Sequence, residues 1–176
     1  MVIDMKFLEL AKKRYSCRKY LDKPVEPEKL AEILEAGRVS PTAVNYQPQR
    51  IIVVQTPEGL AKVEKSYKSF GAPLALIVCV DRTKSWKRRY DGKDSGDTDA
   101  AIVTTHMMLC AADLGVDSVW VQAFNPEILR EEFQIPEHIE PMYILMLGYA
   151  AGEPASPHRH NQLRKPIDET VFYEKL

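Results

Sequence analysis

The eight glycines of this 176-residue chain form neither a GxGxxG nor a GxxxxGK[ST] run. The dinucleotide fingerprint and the phosphate loop are therefore both missing. No GxSxG occurs either, which argues against the usual nucleophile elbow of α/β-hydrolases. Cys17, Cys79 and Cys110 are too few and too scattered for a CxxC pair or a disulfide framework, and none has an arginine six residues on. Such cysteine usage fits a reducing cytosol, so a cytoplasmic location is expected. Charge of one sign is scarce: 24 Lys+Arg against 25 Asp+Glu leave a net charge of −1. No excess draws nucleic acid or an anionic membrane as partner. The longest strictly apolar run, Leu74 to Val80, is stopped by Asp81, well short of the roughly 18 residues a membrane span needs. Asp4, Lys6 and Glu9 interrupt the stretch where a signal peptide needs an apolar core, so export is not expected.

What remains suits one domain over residues 1–176, by the usual span of roughly 100–200 residues per domain. Asp4 is placed to cap a helix reaching about Lys13. Pro27 opens a second helix, which turns Leu30, Ile33 and Leu34 inward and stops near Gly37. Ser40–Pro48 reads as loop, Ile51–Gln55 as a strand, and Thr56-Pro57-Glu58 as a cap and first turn. Leu74–Val80 is apolar on both faces, as a central strand is. The polar stretch Arg82–Asp97 carries two glycines and reads as a mobile surface loop. From Thr98 to Leu114 the pattern is helical but apolar all round, so a partner subunit is expected over one side. Val119–Val121 and Met142–Leu147 read as strands, with a short helix opening at Asn125-Pro126 between them. The tail from Glu153 is polar and loop-rich.

Arg14-x-Ser16-x-Arg18 places two guanidiniums and a hydroxyl on one side if the segment is extended, which suits a phosphate. A solvated basic turn explains the spacing equally well. Thr42, Asn45 and Gln47 are small polar groups able to hydrogen-bond the edge of a heteroaromatic ring, although turns are full of them. His158-x-His160 has no third ligand at suitable spacing, so no metal is expected. Lys87-Arg88-Arg89 reads as a solvated face that alternatively meets a phosphorylated substrate. Cys17 lies among cations but has no histidine near in sequence to act as base, which makes a catalytic cysteine the minority reading.

The order of these features carries more than any one of them. Arg-x-Ser-x-Arg follows the first helix and Ser-Pro-Thr-Ala-x-Asn-x-Gln-Pro the second. Then come the apolar helix ending Leu114-Gly115, Val119-Trp120-Val121-Gln122-Ala123-Phe124, Gly148-Tyr149 and Arg164-Lys165-Pro166. Together they resemble the nitroreductase family of flavin-dependent oxidoreductases over nearly the whole chain. The resemblance implies an α+β fold, a central mixed β-sheet flanked by helices, in an intertwined homodimer with two FMN molecules at the interface. It implies that Arg14 and Ser16 hold the FMN phosphate and ribityl chain, and that Arg18 lies beside N1 and O2 and tunes the reduced flavin. Pro41, Thr42, Ala43 and Asn45, with Gln47 in the same motif, are implied to reach the flavin of the other protomer. Gln122 and Ala123 are implied to flank the central ring, with a backbone N–H near N5, and Arg164 and Lys165 to clamp the phosphate. The chain departs from the family pattern at Thr42 and Ala43, where Ser is frequent, and at Gln122-Ala123, where Glu-Gly or a Gly is. Ala150 stands where Pro is usual. The function implied is ping-pong hydride transfer from NAD(P)H through flavin N5 to a nitroaromatic, quinone or flavin acceptor. Two alternatives stay open: a relative with other flavin chemistry, of dehalogenase or flavin-fragmenting type, and a non-catalytic FMN storage or sensing protein.

Overall fold

Prolines at 27, 57 and 126 open three helices, α2 (Pro27–Arg38), α3 (Pro57–Ser66) and α5 (Pro126–Phe133). At a first helical turn the missing N–H is no loss and the fixed φ is already right. The Thr56 hydroxyl accepts from Gly59 N at 3.1 Å, and Asn125 Oδ1 accepts from Glu127 N at 3.0 Å, so two of these starts are capped as well. The computed structural model describes residues 6–176, which leaves the expected Asp4 cap outside the described residues. Helix α1 runs Phe7–Lys13 with Lys6 at its N-cap.

Four strands, β1 (Gln49–Val54), β2 (Leu74–Asp81), β3 (Asp117–Val121) and β4 (Ile139–Gly148), form one sheet in the order β1-β2-β4-β3. Each pair is antiparallel. The parallel component of the sheet is confined to a bridge between Ser16 and Ser118, where the strap after α1 lies along β3. There Cys17 N donates to Ser118 O at 2.9 Å. On the other side β1 pairs only with β2 among the described residues, which leaves its outer edge open there.

The alternation along β2 explains why it is apolar throughout. Ala75, Ile77 and Cys79 face one core with Val63 of α3 and Leu129 of α5. Leu74, Leu76, Val78 and Val80 face the other with Ile33 of α2 and with Val103 and Met107 of α4 (Gly96–Asp113). Side chains two apart share a face, so a strand sandwiched between helix layers needs apolar residues at every position. Gly37 lets α2 settle on α4: a Cβ there would come within 2.9 Å of Met107 Sδ.

Helix α4 has only its sheet side fully buried; Ile102, Leu109 and Cys110 are half-buried and His106 is exposed. One expectation is corrected. The segment 82–97 is not a loose loop. Arg82 gives Nε to Glu140 at 2.5 Å, Nη1 to Asp94 at 2.9 Å and Nη2 to Asp97 at 2.6 Å. Burial alone would lower the pKa of this guanidinium, but Glu140 and Asp97 raise it. Backbone bonds from Arg88 N to Lys93 O and from Ser95 N to Trp86 O, at 2.9 and 2.8 Å, fold the segment back on itself. The tail after β4 is built from short turns, including α6 (His160–Leu163), and exposes Leu163, Ile167, Phe172 and Tyr173. No helix among the described residues is long and apolar enough to cross a membrane.

Candidate functional site

The strap between α1 and α2 carries Arg14, Ser16 and Arg18. Arg14 is half-buried, Ser16 likewise, and Arg18 is exposed with Nη1 3.4 Å from Ser16 O. The tail returns to this strap through Arg159. Its Nη2 donates to Arg14 O at 2.6 Å and its Nη1 to Lys12 O at 3.1 Å and Ser156 O at 2.9 Å. His160 Nε2 lies 3.1 Å from the same Lys12 carbonyl. These bonds bring Arg159 and Arg164 up to Arg14. Burial lowers the pKa of Arg14, and the charges of Arg159 and Arg164 lower it further. Three guanidiniums gathered with no ion-pair partner among the described residues form a place for an anion, and guanidinium forks suit phosphate oxygens. Lys165 turns the other way, to Glu169 at 3.6 Å.

Arg14 also lines a cavity of about 270 Å³ with Asp117, Ser118, Ala112 and Gly115. The Ser118 hydroxyl is buried there with no protein partner. A buried donor of this kind calls for an acceptor from outside the chain.

The second half of the expected site is the loop Pro41–Gln47. Val44, Asn45 and Gln47 have φ of 53°, 57° and 51°, and for β-branched Val44 the left-handed region is a genuine outlier. The loop is held from below. Asp99, 1% exposed in the first turn of α4, accepts from Ala43 N at 2.8 Å and from Ser95 Oγ at 2.9 Å. Thr42 Oγ1 accepts from Gln47 N at 3.1 Å, and Gln47 Nε2 donates to Asn45 O at 3.3 Å. Strain survives only where the surroundings fix it, and it gathers at functional loops. The loop meanwhile leaves Val44 and Tyr46 in solvent.

The two halves lie apart within one chain. Loop 41–47 rests on Asp99 at the start of α4, whereas the Arg14 cavity reaches Ala112 at its end. Thirteen helical residues at about 1.5 Å each separate them by about 20 Å. Gln122 and Ala123, exposed just beyond β3, precede the Asn125 cap. Cys17 is 2% exposed and its thiol donates to Lys19 O, so it is a packed core residue rather than an accessible nucleophile. No cluster of three His, Cys, Asp or Glu suited to a metal occurs among the described residues.

Arg159 and Asp99 were not singled out by the sequence. Asp99 had a usable signal, an acid in the first turn of an otherwise apolar helix. Arg159 had none, because it acts on carbonyls far away in the chain.

Comparison with known proteins identifies the family and fold. The nitroreductase family model matches residues 11–72 and 63–149. A nitroreductase family protein from Clostridium difficile 630 superposes with a TM-score of 0.96 at 53% identity, over 98% of this chain and 100% of that one. An FMN-dependent nitroreductase from Clostridium difficile R20291 gives a TM-score of 0.80 at 27% identity, over 96% and 99% of the two chains. The FMN reductase [NAD(P)H] of Bacillus subtilis is 29% identical, over 89% of this chain and 71% of its own length. The chain belongs to the nitroreductase family.

Proposed function

We propose that this protein is an FMN-dependent NAD(P)H oxidoreductase whose two flavin sites each form between two copies of the chain. The names of its relatives support FMN and NAD(P)H. The observation that carries the two-chain reading is the separation of the half-sites by the length of α4.

The residues present fit the cofactor. Arg14 and Arg164, with Arg159 behind them, offer a phosphate two or three guanidiniums that no carboxylate of the described residues neutralises. Ser16 and the orphaned Ser118 hydroxyl supply donors or acceptors for a ribityl chain. Bound FMN supplies the two-electron chemistry, taking a hydride from a nicotinamide and passing it to a small oxidant in ping-pong fashion. The protein binds and tunes. Arg18 is exposed in the single chain and pairs with no carboxylate among the described residues, so its charge is free to hold the N1–O2 edge of a reduced ring. Fixed positive charge there stabilises the reduced form selectively. Pro41–Gln47 of the second copy and Gln122-Ala123 would help hold the ring.

The test is direct. The purified protein should be yellow and dimeric, and anaerobic NADH or NADPH should bleach it, with nitroaromatics, quinones or free flavin restoring the colour. A colourless protein that rejects added FMN overturns the reading. Tight FMN binding without reduction by either nicotinamide moves it to one of the other flavin chemistries or to storage.

A further inference from the structure

Between loop 41–47 and the folded segment 82–95 lies a second cavity, of about 360 Å³, lined by Ala43, Trp86, Arg88, Lys93, Asp99 and Ile102. Its walls combine a half-buried indole, aliphatic carbon and two cations. The charges are unequally committed. Asp99 accepts one bond on each oxygen, from Ala43 N and Ser95 Oγ. Asp94, beside it, is held by Arg82 Nη1, Ser85 Oγ and Gly96 N at 2.9, 2.5 and 2.8 Å. Arg88 is forked onto Asp91. The Lys93 ammonium makes no ion pair within 4 Å among the described residues; its charge reaches Asp91, which Arg88 already holds, and its backbone closes the segment onto Arg88. The cavity thus sets an indole and Ile102 beside Lys93, a cation with no ion pair within 4 Å among the described residues, while the carboxylates on its wall, Asp94 and Asp99, are held by donors of the fold. An apolar cavity with a few placed polar groups is the ordinary form of a small-molecule site.

We propose that this cavity is the acceptor subsite and that it selects a small aromatic carboxylate, ring against Trp86 and Ile102, carboxylate on Lys93. The inference rests on the flavin reading above, which places loop 41–47 beside the ring of the partner copy and so sets this cavity at the flavin's edge. The ring gains from contact with the indole, and the carboxylate gains a charge-assisted bond that a neutral analogue lacks. Trp86 and Lys93 therefore set which oxidant is taken, without touching the phosphate clamp.

The experiment compares 4-nitrobenzoate with its uncharged isostere 4-nitrobenzamide on the FMN-loaded dimer. KM for the carboxylate should be roughly tenfold lower, as expected of one partly exposed charge-assisted bond. Lys93→Met should erase that preference, and Trp86→Leu should weaken both compounds alike. Calorimetric titration with benzoate and benzamide reads the same preference without turnover. Equal affinity for benzoate and benzamide in the native protein, or a preference that survives Lys93→Met, overturns the proposal. Failure of the flavin reading is seen separately, as absence of bound FMN or of its reduction by NAD(P)H before any acceptor is added.

Discussion

Arg159 spends its guanidinium on backbone carbonyls, and by doing so it delivers a second and third positive charge to Arg14. The two arginines should therefore fail differently. Arg14→Ala removes a charge-assisted contact to phosphate and should weaken FMN by about 1.5–3 kcal/mol, with the fold unchanged. Arg159→Ala should weaken FMN as well, but it should also free the tail, so trypsin should cut after Arg164 faster than in the native protein. A fluorescence titration and a digestion time course separate the two. Arg18→Gln tests tuning rather than binding, since glutamine donates a bond but brings no charge. The two-electron potential of bound FMN should fall by about 30 mV or more, where 30 mV corresponds to about 1.4 kcal/mol. An unchanged potential with FMN still bound would leave Arg18 without a role in the reduced state. The arginine motif was readable in the sequence because its spacing is local. Arg159 was not, because its partner Arg14 lies 145 residues earlier and is met through the main chain.

Among the elements, the folded segment 82–97 depends most on a single residue. Arg82 ties it to β4 through Glu140 and to itself through Asp94 and Asp97. Removing a partly buried, hydrogen-bonded cation leaves Asp94 short of a partner, so Arg82→Ala should cost on the order of 1–3 kcal/mol. The variant should show faster tryptic cleavage at Lys87, Arg88 and Arg89. Acid should loosen the same element. Burial by itself would raise the Asp94 carboxyl, but the Ser85 hydroxyl, Gly96 N–H and Arg82 outweigh it and hold its pKa below the usual value. The bond from Tyr149 pulls Glu26 at the head of α2 down to about 2. A carboxyl depressed on folding lends stability above its unfolded pKa and loses it as pH falls through the folded one. Urea midpoints should therefore be flat above about pH 5 and fall steadily toward pH 2, from unfolded values near 4. The order of this segment was hidden in the sequence for a plain reason. A run of polar residues with two glycines looks mobile until the carboxylate that anchors it, 58 residues on, is brought alongside. The helices opened by Pro27, Pro57 and Pro126 were legible because their start signals lie within each element.

At the scale of the molecule, one chain leaves several surfaces incomplete. Helix α4 shows Ile102, His106 and Leu109 on its outer stripe, β1 has an open edge, and the tail exposes Leu163, Ile167, Phe172 and Tyr173. Apolar surface and an unpaired strand edge on this scale are covered in stable proteins. The unbroken hydrophobicity of α4 announced that need in the sequence, while the distance between half-sites appeared only once the helix was built. Leu109→Glu places a charge in that stripe and should yield a monomer by sedimentation. On the two-copy reading proposed above, the same monomer should also lose FMN.

The placement of the half-sites at opposite ends of α4 has a genetic consequence. A chain with Arg14→Ala keeps its loop half, and a chain with Asp99→Ala keeps its arginine half. On the two-copy reading, each as a pure dimer should hold FMN weakly and turn over poorly when FMN is limiting. Co-expressed, they should complement: a mixed dimer holds one site with both lesions and one with neither. Random pairing then restores about a quarter of all sites, since half the dimers are mixed and each has one intact site of two. Two impaired alleles should together restore activity, and doubly tagged mixed dimers should titrate with one tight FMN site in place of the two proposed for the native protein.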